Sequence, residues 1–382
     1  MTTTTHQQQQ FFAKRLFDGE QLLDNVRFTV VNGSIESIDI GTQLGAEDTV
    51  LESFVVPGFV DLQVNGGGGV LLNSSPTVEG IRTMMAAHAK FGTTAMLPTL
   101  ITDKVEVMAA AAEAIAEAIA SDVAGIKGIH FEGPHLSVAK KGAHSAEFIR
   151  PISEQEWQVL SRRDIGKVIV TLAPENVLPS DIKKMVSLGI KVCLGHSNAD
   201  AQTAQKAIEA GADGFTHLYN AMSPLTGRAP GMVGCALQND SAACGIIVDG
   251  HHVAFESCQL AEKIKPNGKL FLVTDAMPPV GTDEQEFNFF DRKVTLADGK
   301  LTSTTGELAG SVLDMATAVR NCHHHMKVPL TKSLQMASLF PAQYINESPN
   351  IGKLSVGSSA DFVLLNDELY VEQTWVAGTR IV

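Results

Sequence analysis

The sequence predicts an α/β protein, a (β/α)8 TIM-like barrel carrying a small β-sandwich domain built from both chain ends. Three observations carry that expectation. Across residues 57–344, eight short apolar runs recur, separated mostly by helical stretches. Apolar strands alternating with helices imply a parallel sheet buried on both faces, and eight such units fit a closed barrel. The flanks, 11–56 and 345–382, are β-like and show no helical periodicity. Finally, Gly66–Gly69 is a glycine run and not a Gly-x-Gly-x-x-Gly turn, so the competing doubly wound open sheet lacks its fingerprint.

In chain order, Met1–Gln10 is a Thr/Gln tract without the basic start and apolar middle of a signal peptide, and reads as a disordered tail. Phe28–Val31 and Ser34–Ile38 flank Asn32-Gly33, a hairpin signal. The eight barrel strands are expected at Gly58–Asn65, Thr93–Pro98, Gly125–Glu132, Val168–Ala173, Lys191–His196, Gly214–Leu218, Ala243–Asp249 and Lys269–Asp275. Ile81–Phe91, the Ala/Glu-rich Val105–Ala120 and Ala201–Gly211, which stops on a glycine, read as helices. Asp283–Gly306 looks like a β-hairpin inserted after the eighth strand. Ala360–Leu365 and Val371–Val382 return the chain to the first sheet, where the two ends meet.

Composition narrows the function classes. A formal charge of −13 and a pI near 5.4 argue against a nucleic-acid surface or a basic membrane patch. No apolar run approaches the ~20 residues that span a bilayer. Five scattered cysteines without a Cys-x-x-Cys pair point to reduced thiols and a cytoplasmic setting.

In a barrel of this kind, chemistry collects at the carboxyl ends of the strands. Read in order, those ends offer Asp61/Gln63/Asn65, Glu132, Glu175, His196, His217, Asp249/His252 and Asp275. His196 and His217 end consecutive strands and are either imidazole ligands of a borderline metal such as zinc or two satisfied core histidines. Glu132, followed by Gly-Pro, is a ligand or a turn carboxylate. Asp275 is a general base beside an activated water or a helix cap, the latter disfavoured by Pro278-Pro279. His130 reads as a core or supporting residue, and Asp61 and Glu175 as structural. His323-His324-His325 lies on a helix, where consecutive side chains face different ways.

Taken together, several motifs identify a resemblance. They are Pro57-Gly-Phe-Val-Asp-Leu-Gln-Val-Asn-Gly66, His130-Phe-Glu-Gly-Pro134, Lys141-Gly-Ala-His144, Gly195-His-Ser-Asn198, Thr216-His-Leu-Tyr-Asn-Ala-Met222, Gly227-Arg228, Asp249-Gly-His-His252 and Thr274-Asp275-Ala276. From about Val55 onward the chain resembles the amidohydrolase superfamily, and within it the N-acetylglucosamine-6-phosphate deacetylases. Much of that superfamily carries His-x-His on the first strand, where this chain has Asp61-Leu-Gln63. The departure implies one divalent metal ion per subunit, zinc or ferrous iron, held by Glu132, His196 and His217. The resemblance further implies Asp275 as the acid–base residue, with His144 stabilising the oxyanion. Gln63, Ala143, His144, Asn220, Ala221 and Leu308-Ala309-Gly310 would contact the substrate, and Arg228 and His252 its phosphate. The implied reaction converts N-acetyl-D-glucosamine 6-phosphate to D-glucosamine 6-phosphate and acetate in amino-sugar catabolism. Such enzymes are typically homodimers, and the galactosamine epimer is the alternative substrate.

Overall fold

The computed structural model describes residues 8–290, 292–304 and 306–382. At its centre eight parallel strands pair in chain order: β6 (Phe59–Val64), β9 (Thr93–Ile101), β10 (Gly128–Glu132), β11 (Lys167–Leu172), β12 (Lys191–Leu194), β13 (Gly214–Phe215), β14 (Ala243–Ile246) and β15 (Leu270–Leu272). A two-stranded turn, β7 (Gly66–Gly67) with β8 (Val70–Leu71), follows the first of them. All eight sequence-predicted strands are present. Every residue of β6, β9 and β10 is buried, as expected of strands covered on both faces. The ring closes just beyond β15. There Asp275 N–H donates to the Gln63 carbonyl, while Asn65 and Gly66 N–H groups donate to the Ala276 carbonyl, all at 2.9 Å. The closing seam therefore lies at the carboxyl edge of the barrel.

The helices follow their local sequence. Val105–Ala120 contains neither Gly nor Pro and buries Met108, Ala111, Ala112, Ile115 and Ala118 along one stripe. Ala201–Glu209 starts where the Asp200 side chain accepts from the Thr203 N–H at 2.7 Å, and stops before Gly211 at φ +110°.

The chain ends build one mixed sheet: β1 (Gln8–Phe17), β2 (Leu22–Val31), β3 (Ser34–Ile40), β4 (Thr49–Leu51), β5 (Phe54–Pro57), β19 (Phe362–Leu365), β20 (Val371–Val376) and β21 (Thr379–Arg380). The small β domain expected from both chain ends is present. One continuous sheet results because β1 pairs with β2 on one side and with both β4 and β5 on the other. Its core is aromatic, with Phe11, Phe28, Phe362 and Trp375 at centroid distances of 5.1–5.5 Å. The Asn32-Gly33 turn has both residues at positive φ, 50° and 81°, as a two-residue hairpin requires. The expected tail needs correction. Residues 1–7 lie outside the described residues, but Gln8–Gln10 pair with Thr29–Val31, an antiparallel partner that satisfies their backbone groups.

The insertion is also larger than a hairpin. β16 (Glu286–Phe289) and β17 (Arg292–Ala297) are joined by β18 (Lys300–Ser303), which returns through an Asp298-Gly299 turn at φ 50° and 74°. Phe289, Val294 and Leu301 pack against Leu71, Ile101, Met277 and Ala309, fixing this sheet beside the mouth of the barrel.

Candidate active site

Glu132 is the last residue of β10; His196, His217 and Asp275 lie two or three residues past β12, β13 and β15. At each of the last three the backbone is left-handed, with φ of 46°, 30° and 53°. Such conformations cost a non-glycine residue roughly 1–3 kcal/mol and persist where surrounding structure imposes them. Here they let the chain leave the strand while the side chain stays over the barrel mouth.

Three side-chain atoms converge. Glu132 Oε1 is 3.1 Å from His196 Nε2 and 3.0 Å from His217 Nε2, and the two nitrogens are 3.0 Å apart. All three residues are buried. His196 Nδ1 lies 2.9 Å from the Lys140 carbonyl, which can only accept, so Nδ1 carries the proton and Nε2 presents its lone pair. A lone pair aimed at a carboxylate and a second imidazole is not the pattern of a satisfied core histidine. It is the donor set of a cation site, since zinc bonds of ~2.0–2.1 Å in tetrahedral array set ligand atoms about 3.3 Å apart. The group can hold a divalent metal ion. Burial pushes the Glu132 carboxyl up, but the hydrogen bonds and charge that His196 and His217 offer when protonated outweigh it and hold it well below the usual carboxylate range. Burial alone would lower His217; the hydrogen bond it can give to Glu132 and the charge of that carboxylate outweigh this and raise it.

Asp275 stands beside this group. Its Oδ1 receives Asn65 Nδ2 at 2.6 Å and Gln63 Nε2 at 3.1 Å. Burial first, then the nearby Glu132 charge, raises its carboxyl to about 6. His144 packs 4.4 Å from the His196 ring and has Nδ1 2.9 Å from Thr102 Oγ1. Burial, then the neighbouring His196, pushes it down to about 3, so it stays neutral. A cavity of about 320 Å³ opens over these groups. Its wall includes Glu132, Ala143, His144, His196, His217, Asn220, Ala221, His252, Asp275 and Leu308–Gly310. His252 Nδ1 donates to Asp249 Oδ2 at 2.6 Å, which orients the ring.

Two expected substrate contacts lie elsewhere. Gln63 is not part of the cavity wall; its amide donates to Glu132 Oε1 at 3.2 Å as well as to Asp275, and so braces the carboxylates from behind. Arg228 lies off the cavity of its own chain, in the solvent-exposed segment 224–230, which bends outward through a turn closed by Thr226 and Ala229. The structural readings of the other candidates agree with their contacts. His130 bonds the Leu62 carbonyl and Thr171, Asp61 bonds Thr274, and Glu175 holds Ser197 and the Asn198 N–H. His323 bonds the Val328 carbonyl and His325 stacks on Phe255. The Lys140–His144 loop, read from the sequence as suited to grasping a substrate, does line the cavity at Lys140, but sequence reasoning gave no role to Met277, Phe289 or Glu307, which line it too. The turn chemistry of Asp298-Gly299 was the one available signal for the last two.

The model of the amidohydrolase family matches residues 54–381. The chain belongs to the amidohydrolase family. This amidohydrolase is 54% identical to an N-acetylgalactosamine-6-phosphate deacetylase of a Shewanella species, over 85% of the chain and 82% of the relative. It is 35% identical to the N-acetylglucosamine-6-phosphate deacetylase of Haemophilus influenzae, over 84% of each. The crystal structure of N-acetylglucosamine-6-phosphate deacetylase from Pasteurella multocida superposes with a TM-score of 0.94 at 36% identity, covering 98% of this chain and 99% of that one.

Proposed function

We propose that this amidohydrolase removes the acetyl group of N-acetyl-D-glucosamine 6-phosphate, giving acetate and D-glucosamine 6-phosphate. The observation that carries the reading is the convergence of Glu132, His196 and His217 beside Asp275 at the floor of a sugar-sized cavity. The deacetylases among its relatives support the substrate class. Glu132, His196 and His217 would hold one divalent ion per subunit, zinc best suited to the donors and ferrous iron the alternative, and when bound it would supply Lewis acidity toward a water and a carbonyl.

The chain's own residues do the rest. Asp275 takes the proton of the attacking water as the new C–O bond forms. The neutral His144 donates to the carbonyl oxygen as it gains charge. Asp275 then returns the proton to nitrogen as the C–N bond breaks and its electron pair moves to the leaving amine. Asn220, Ala221 and Leu308–Gly310 shape the sugar subsite. His252, held by Asp249, and Lys140 meet the phosphate with charge-assisted bonds. Arg228, exposed and away from its own cavity, is suited to reach the phosphate of a second copy in a homodimer.

The 54% identity to a galactosamine-type enzyme favours a second reading, in which the preferred substrate is N-acetyl-D-galactosamine 6-phosphate. Comparing kcat/KM for the two epimers decides between them. A higher value for the gluco substrate supports the first reading, and a higher value for the galacto substrate supports the second.

A further inference from the structure

We infer that Asn65 positions Asp275 and, through its own carbonyl oxygen, holds the substrate nitrogen beside it; this rests on the deacetylase reading. Asn65 follows β6 directly, and its N–H helps close the barrel onto Ala276, the residue after Asp275. The side chain is 2% exposed and forms part of the cavity wall. Its Nδ2 donates to Asp275 Oδ1 at 2.6 Å, and Gln63 Nε2 donates to the same oxygen at 3.1 Å. Turning the carboxylate would break both bonds. Oδ2 is therefore the oxygen left for moving protons.

The other end of the Asn65 amide is unmatched. Its Oδ1 is buried and has no hydrogen-bond partner among the described residues. Leaving a buried acceptor unmade costs about 1–3 kcal/mol, so a ligand that brings a donor gains by filling it. An N-acetylhexosamine 6-phosphate offers hydroxyls and one nitrogen, and the nitrogen is the atom that must approach Asp275. Because the orphan oxygen belongs to the same amide that touches Asp275, the donor able to meet both groups is that N–H. As the nitrogen is protonated and leaves, its bond to Asn65 becomes charge-assisted and strengthens. An interaction that grows along the reaction raises kcat more than it lowers KM.

Asn65→Ala and the near-isosteric Asn65→Asp, each with metal content measured, test this. Turnover is read together with inhibition by glucosamine 6-phosphate and by 2-deoxyglucose 6-phosphate, which lacks a donor at that carbon. Asn65→Ala is expected to lower kcat on the order of 10–100-fold with KM nearly unchanged. It should weaken glucosamine 6-phosphate about tenfold while sparing the deoxy sugar. Asn65→Asp keeps an acceptor but sets a second buried carboxylate against Asp275, so that the pair shares a proton and the base is lost. It should therefore retain glucosamine 6-phosphate binding and lose turnover, and it serves alone if the alanine variant does not fold. Equal changes for both inhibitors in Asn65→Ala, or a loss of glucosamine 6-phosphate selectivity in Asn65→Asp, would overturn the role of Asn65. Failure of the underlying reading is separable, because it would appear in the unmodified protein as no acetate from either epimer.

Discussion

Asp275 is buried, left-handed in its backbone and tied by two amides, while burial and the Glu132 charge set its acidity. Replacing it with Asn should cut turnover by about 10²–10⁴-fold, the usual worth of a positioned acid–base group, with metal content unchanged. Loss of metal along with activity would instead make Asp275 a ligand. The sign of its pH dependence follows from the same environment. Burial, then Glu132, raises it to about 6, and only the ionised form accepts a proton. The kcat/KM profile should therefore fall as pH drops and Asp275 takes up its proton; an acid limb that persists unchanged in the residual activity of Asp275→Asn would contradict that assignment. Glu132, His196, His217 and Asp275 were legible in the sequence because each is a polar residue ending an apolar run. Gln63 was misplaced because a strand end does not say whether an amide faces the cavity or the carboxylates behind it. Whether Arg228 faces its own cavity or a second copy was not legible, because a loop of Pro, Gly and Thr carries no periodicity from which to read its direction.

Elements hold these side chains in register, and the tightest approach lies between β10 and β11. A Cβ on Gly128 would sit 1.9 Å from the Lys167 carbonyl oxygen and 2.4 Å from its nitrogen. Gly128→Ala must therefore spread the two strands and shift Glu132 at the far end of β10. A loss of about 2–4 kcal/mol in unfolding free energy, read from denaturant melts, is expected, together with weaker metal binding by titration. Wild-type values for both would show that the ladder yields without moving the site. At this scale the barrel strands were readable because apolar runs bounded by turn residues repeat. The third strand of the insertion was not, since β18 spans only Lys300–Ser303 and two of its four residues are polar and exposed or half-buried. That the two ends share one sheet was readable from their β-like character, but the strand order was not, because β5 pairs with β19 across some three hundred residues of chain and no local pattern encodes that partner.

For the molecule as a whole, the proposed metal site joins three separate strands, and an ion held there should stabilise the barrel that makes it. A ligand that binds only the folded state raises stability by mass action. Chelation should abolish turnover and lower the melting temperature, and one equivalent of zinc or ferrous iron should restore both. A melting temperature indifferent to metal would mean that Glu132, His196 and His217 hold no ion. The most direct test of the central claim is acetate release from N-acetylglucosamine 6-phosphate and its galacto epimer, with metal counted on the same sample. The expected result is turnover on at least one epimer, about one ion per chain, and little activity on the unphosphorylated sugars. A protein that binds its metal yet releases no acetate from either phosphorylated sugar would contradict the proposed reaction.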